Sequence, residues 1–166
     1  MVNSCDKIIL ALLLLVSFSA LVVAFSAQVV AGFEPCILCK YQRIPYFAVI
    51  LFSGVGLHIK AMDHDGVIKS IGVVFLLSSI LAFYHNGVEQ YWWTSIAGCG
   101  DLTGVTLSFE EFQRQLIFKM PKRCDQVNWS LFGLSMTVYN CVASLIFALF
   151  SFSGRYVIKN FVCKVF

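Results

Sequence analysis

Four apolar runs restrict what this chain can fold into more than any other feature. They cover about Ile8 to Ala31, about Ile44 to Ile59, about Ile71 to Tyr84 and about Leu131 to Phe152, and none contains Asp, Glu, Lys or Arg. A helix needs about 20 apolar residues to cross a ~30 Å hydrocarbon core, and the first and last runs reach that length. Inside lipid every backbone N–H and C=O must be satisfied within the protein, which favours helices. Composition agrees. The 166 residues are 59% hydrophobic and 13% charged, whereas about a quarter of a soluble domain is charged. The expected fold is therefore all-α: a four-transmembrane-helix bundle forming one integral membrane domain, residues 1–166. The first run exceeds the 7 to 15 residues of a signal-peptide core, so it reads as a retained span. A net charge of +3 with no cluster of Lys and Arg argues against nucleic acid as a partner.

The polar connections divide unequally. A short one covers about 32–43 and a long one about 85–130, on the same side of the bundle; His58 to Lys69 joins the second and third runs on the other side, with the termini. Asp63-His64-Asp65-Gly66 is its turn signal, so His58 and His64 read as solvated. Pro45 is tolerated in a first helical turn and marks where the second helix begins. The third run ends in Tyr91-Trp92-Trp93, aromatic residues typical of the bilayer interface. Within the long loop, Ser108-x-x-Glu111 forms a capping box. Phe109, Phe112 and Leu116 then share one face of a short amphipathic helix over Ser108 to Phe118. Six basic residues fall on each side of the membrane, so charge alone does not orient the chain.

Cysteine placement does. Of seven cysteines, Cys36, Cys39, Cys99 and Cys124 lie in or beside polar segments on one side, as expected if that side faces an oxidising compartment. Cys36-x-x-Cys39 can open and close as a disulfide, and a nearby cation favours the nucleophilic thiolate. On a helix Arg43 lies one turn beyond Cys39, which would bring its guanidinium near that sulfur. Taken alone, a C-x-x-C pair serves equally well as a structural staple, and four cysteines can also converge on zinc. Cys99 and Cys124, within one loop, would close a second disulfide if paired with each other. His85 alone reads as an interfacial histidine, and Arg43 alone as a headgroup anchor.

Four motifs in order carry a resemblance. They are Cys36-x-x-Cys39-x-x-x-Arg43; Tyr84-His85-x-Gly87-Val88-Glu89; Cys99; and Cys124-Asp125 leading into Trp129-x-x-x-Gly133-Leu134-Ser135-Met136. The chain resembles the DsbB family of disulfide bond formation proteins over nearly its whole length. That resemblance implies a protein-disulfide:quinone oxidoreductase of the bacterial inner membrane, with periplasmic cysteine loops and cytoplasmic termini. It implies that a DsbA-type thiol oxidase is reoxidised and that a quinone, ubiquinone or menaquinone, takes the electrons. It also implies redox pairs Cys36/Cys39 and Cys99/Cys124. Cys99 would meet the partner's thiolate, Cys36 would exchange with the loop pair, and Cys39 would contact the quinone. Arg43 and His85 would lie near the quinone, and Glu89 shares the His85 motif. The competing reading is a non-enzymatic four-span scaffold in which loop disulfides staple an interaction surface.

Overall fold

The structure, a computed structural model, describes residues 4–30, 32, 35–59, 63–95, 124–125 and 130–161. Five helices and one small hairpin make up these residues. The helices are α1 (Ser4–Val30), α2 (Ile37–Tyr41), α3 (Ile44–His58), α4 (His64–Glu89) and α5 (Met136–Phe161); strands β1 (Ser130–Leu131) and β2 (Leu134–Ser135) precede α5. Among the described residues, three helical segments are long and apolar enough to cross a membrane: Asp6–Val30, His64–Glu89 and Met136–Ser153, with mean hydropathies of 3.0, 2.1 and 1.6. The 15 residues of α3 rise only about 22 Å at 1.5 Å each. The expected amphipathic helix over Ser108 to Phe118 lies outside the described residues.

Local chemistry explains the helix ends. Pro45 has no N–H to offer the carbonyl four residues earlier, and its ring crowds that carbonyl, so α2 cannot run on into α3. The break falls at Gln42 and Arg43, and α3 starts with its proline in the first turn. Asp63 caps α4 by accepting from the backbone N–H groups of Asp65 and Gly66, each at 3.2 Å, which satisfies two otherwise unpaired donors. This cap moves the helix start back to His64, ahead of the apolar run at Ile71. His64 is accordingly buried at 6% exposure, not solvated as a turn residue, whereas His58 is exposed. The fourth run is also corrected. Its first residues form a hairpin pairing Ser130 with Ser135 and Leu131 with Leu134. Phe132 and Gly133 both take positive φ there, the requirement of a tight type I′ turn.

Packing places an apolar core toward one end of the bundle. Leu10 and Leu13 of α1, Val49 of α3, Ile71 and Phe75 of α4, and Ala148 of α5 are all essentially inaccessible. Phe75 anchors it, edge-on to Tyr46 at 6.0 Å and against Phe147 at 5.4 Å. The bundle's outside carries Leu15, Val23, Phe47, Leu51, Leu77, Ile80 and Leu149, all exposed, which suits lipid. Between helices lie small polar residues, including Ser17, Ser53, Ser78 and Ser144 at 0% exposure, as in membrane interiors where close approach and hydrogen bonds replace hydrophobic drive. α4 packs chiefly on α5, and α1 on α3, with α3 also meeting α4.

The far end of α4 closes in a Schellman arrangement: Tyr91 N–H bonds Val88 O and Trp92 N–H bonds Gly87 O at 2.9 Å, with Tyr91 at φ 58° in the left-handed region. The chain therefore doubles back. Trp93 lands on its own helix, donating from Nε1 to Tyr84 O at 2.9 Å and stacking on the Tyr84 ring. A Cβ on Gly87 would sit 2.0 Å from the Trp93 ring, so Trp93 clasps the helix end as well as lying where an interface anchor was expected. Gly87→Ala should expel this ring and destabilise the protein by about 1–3 kcal/mol, as overpacking typically does. Denaturant unfolding in detergent, with a shift in tryptophan emission, measures it.

Candidate functional site

Thirteen residues beyond Phe75 on α4, a second buried cluster forms around Cys36, Leu38, Val88 and Cys124, about 20 Å along the helix axis from the apolar core. Cys36 is the N-cap of α2. Its backbone is extended (φ −65°, ψ 172°), and its sulfur accepts from Cys39 N–H at 3.3 Å. Both thiols are free, and the two sulfurs share a hydrogen bond of 2.9 Å. Cys36 is fully buried and Cys39 half-buried.

Because α4 continues past its apolar run to Glu89, His85 reaches this pair from beneath, at 1% exposure. Its Nε2 lies 3.6 Å from Cys36 Sγ and 3.8 Å from Glu89 Oε1. Glu89 is itself held from the start of α5: Thr137 Oγ1 donates to its Oε2 at 2.6 Å, and Ser135 hydrogen-bonds Thr137. On its other side His85 Nδ1 meets Gln42 Nε2 at 3.0 Å. Gln42 Oε1 accepts from Asn140 Nδ2 at 2.9 Å, and Asn140 Oδ1 accepts from Tyr46 Oη at 2.5 Å.

The charge of the pair is unevenly shared. Cys36 is pushed down from 9.0 to about 4, chiefly by the hydrogen bond from the Cys39 thiol, with His85 and Cys39 N–H adding to it against the opposing effect of burial. Cys39 is pushed up by the same shared hydrogen bond and by burial. The proton therefore stays on Cys39 and the nucleophilic anion on Cys36, the sulfur with the extra nitrogen donors.

Cys124 completes the cluster. Buried at 1% exposure and joined in a disulfide, it brings its sulfur within 4.8 Å of both Cys36 Sγ and the His85 ring nitrogen. Two sulfurs and an imidazole are donors that zinc accepts. A disulfide sulfur, however, has no thiolate to give, so this set does not fit a metal while that bond is closed. It does fit exchange, in which a thiolate attacks a neighbouring disulfide sulfur. Downstream of Cys39 the chain exposes Tyr41, Ile44 and Phe47.

Of the residues singled out from sequence, Cys36, Cys39, His85, Glu89 and Cys124 converge here, while Cys99 lies outside the described residues. Arg43 is directed elsewhere. Its Nη1 donates to Gln28 Oε1 at 2.9 Å, and its guanidinium lies 4.6 Å over the Phe25 ring. The cation is thus committed to the end of α1, and the Cys36 anion relies on His85 and Cys39. Sequence reasoning missed Gln42, Asn140 and Tyr46. Gln42 sits inside the cysteine motif, and Asn140 is a lone carboxamide in an apolar run, a signal that intramembrane polar residues have a purpose.

The DsbB profile, described as disulfide bond formation protein DsbB, matches residues 6–153. A disulfide bond formation protein B of Polaromonas naphthalenivorans is 31% identical over 146 residues, covering 85% of this chain and 86% of that protein. One from Methylobacillus flagellatus is 30% identical over 141 residues, covering 81% and 84%. An uncharacterized protein of Rickettsia prowazekii is 29% identical over 147 residues, covering 87% and 84%. No solved structure matches this chain.

In the reduced protein, iodoacetamide labelling of Cys36 should reach half its plateau well below the ordinary thiol range; above that midpoint the thiolate persists, and below it the rate falls. His85→Gln removes a donor and should move the midpoint upward. Mass spectrometry of the Cys36 peptide measures both, and a wild-type midpoint near the ordinary thiol value of about 8.5 would contradict the charge distribution described.

Proposed function

This chain belongs to the DsbB family, and from that premise we propose that it reoxidises a periplasmic DsbA-type thiol oxidase and passes the electrons to a membrane quinone. The observation that carries the reading is the approach of Cys36 and Cys124 sulfurs to within 4.8 Å beside His85. Nothing local in the chain brings these two residues together, and disulfide exchange between them needs that approach.

The route follows from the chemistry of each sulfur. A partner thiolate attacks Cys99 of a Cys99–Cys124 disulfide, forming a mixed disulfide and releasing Cys124 as thiolate. Resolution by the partner's second thiol returns the oxidised partner and leaves Cys99 and Cys124 reduced. Cys124 then attacks Cys36 of a closed Cys36–Cys39 disulfide; the Cys36–Cys39 bond breaks, Cys36–Cys124 forms, and Cys39 leaves as thiolate. Attack by Cys99 on Cys124 re-forms the loop disulfide and returns two electrons to the Cys36/Cys39 pair. A free Cys36/Cys39 dithiol beside a disulfide-bonded Cys124 is the arrangement expected once those electrons have moved inward.

A quinone, when bound beside Cys39, would supply an acceptor for two electrons and two protons. The residues around it contribute position and charge control. Cys39 is the less buried sulfur and borders exposed Tyr41, Ile44 and Phe47. His85 Nε2 lies 3.6 Å from Cys36 Sγ, and Glu89, anchored by Thr137, lies 3.8 Å from the same imidazole nitrogen. On this reading Arg43 meets the quinone only if it releases Gln28, and otherwise braces α1 against the start of α3.

We place the protein in the bacterial inner membrane as a four-span bundle, with α3 as the second span. Cysteine loops face the periplasm and both termini the cytoplasm. Purified protein given reduced thiol oxidase and quinone under anaerobic conditions should show loss of quinone absorbance. Cys36→Ser, Cys39→Ser and Cys124→Ser should each lower the rate by at least about a hundredfold. Turnover at the wild-type rate without Cys36 or Cys124 would refute the route.

A further inference from the structure

The hydrogen-bond chain that ends on His85 has a direction, set at its far end. Tyr46 Oη lies 2.5 Å from Asn140 Oδ1. Hydrogen bonds from O–H run near about 2.7–2.8 Å and those from N–H to oxygen near about 2.9–3.0 Å. So short a contact is a phenol donating to a carbonyl oxygen. With its oxygen turned toward Tyr46, Asn140 points its amide nitrogen at Gln42 Oε1, 2.9 Å away. Gln42 then has only its nitrogen left to face His85 Nδ1, at 3.0 Å. An amide nitrogen donates and does not accept. Nδ1 must therefore be the bare nitrogen of the ring, and the hydrogen of the neutral imidazole lies on Nε2, the atom facing Cys36 Sγ.

We propose that Tyr46 and Asn140, acting through Gln42, are positioning residues that hold His85 in the Nε2–H tautomer, so that the ring presents a donor to the Cys36 sulfur. The relay links three elements: the segment between α2 and α3 supplies Gln42, α3 supplies Tyr46, and α5 supplies Asn140, all converging on a histidine of α4. Every member is buried or half-buried, so water does not readily offer the substitutes that would let the amides turn over. The other groups facing Nε2 are the Glu89 carboxylate of the same helix, at 3.8 Å, and the Cys124 sulfur. Neither a carboxylate nor a disulfide sulfur can supply a hydrogen there, so a hydrogen between Nε2 and the Cys36 anion must come from the imidazole. This deepens the electron-relay reading and rests on it for its purpose. Its test needs neither quinone nor thiol oxidase, so the two can fail separately.

The test is nitrogen NMR of reduced protein labelled with 15N-histidine, in detergent, with the His85 signals identified by their loss in His85→Gln. Wild type should show an unprotonated Nδ1 and a protonated Nε2. Asn140→Leu frees the Gln42 amide, so the ring should populate both tautomers, and the pH midpoint of Cys36 labelling should move upward by about one unit, a tenfold slowing at any pH well below the wild-type midpoint. Tyr46→Phe, which keeps the ring and removes the terminal donor, should change both readouts in the same direction by less, and it serves if Asn140→Leu does not fold. Ser79→Ala removes a bond between the same two helices but outside the relay, Ser79 Oγ to Cys141 O at 3.0 Å, and should leave both readouts unchanged. A wild-type ring protonated on Nδ1 would overturn the proposal. So would wild-type tautomer and labelling in the relay variants, or an equal effect from Ser79→Ala.

Discussion

A sulfur anion enclosed by a helical bundle is stable only if fixed donors replace the water it has lost. Cys36 is fully buried, and the donors that reach it are the Cys39 thiol, Cys39 N–H and the His85 ring. An isolated buried charge would neutralise instead. Several features of the fold serve to bring those donors together. Pro45 breaks the helix so that α2 can present Cys36 at its first turn, and α4 continues through polar residues far enough to carry His85 beneath it. The interaction also explains why the two cysteines of one short motif differ, since the sulfur with more nitrogen donors takes the charge and its neighbour keeps the proton.

The bundle separates mechanical and chemical duties along α4. Around Ile71 and Phe75 the helices close on apolar and aromatic side chains, with little chemistry to perturb them. Around His85 and Glu89 the same helix meets carboxamides, hydroxyls and sulfur. His85, Glu89 and Gln42 are each answered by another polar group there, as favours stability where lipid and protein exclude water. The clasp of Trp93 on Gly87 secures the junction between this end of the helix and the loop that follows. The hairpin before α5 does comparable work from the other side, since Ser135 and Thr137 fasten Glu89.

Cys124 shows why proximity in space carries more weight here than pairing within a motif. Its sulfur comes within 4.8 Å of Cys36 Sγ and of a His85 ring nitrogen from a distant stretch of chain. That arrangement suits a reaction in which charge passes from one sulfur to another, and membership of the DsbB family accords with it.

What the sequence determined by itself was everything that lipid and local chain chemistry dictate. Uncharged runs marked most of the helices, Pro45 marked the start of α3, the C-x-x-C spacing and loop placement singled out Cys36, Cys39 and Cys124, and the resemblance to the DsbB family added His85 and Glu89. Hydropathy reports what a bilayer touches, so it could not show that α4 runs on through polar residues from His64 to Glu89, or that His64 is buried. Helical spacing placed Arg43 one turn from Cys39 but could not foresee that Gln28 and Phe25 of another helix would take its side chain. Only the tertiary structure decided which sulfur bears the charge and how Gln42, Asn140 and Tyr46 join His85. The physical reason is that hydrogen bonds between helices link residues far apart in the chain, and no local pattern of residue types encodes which of them will face one another.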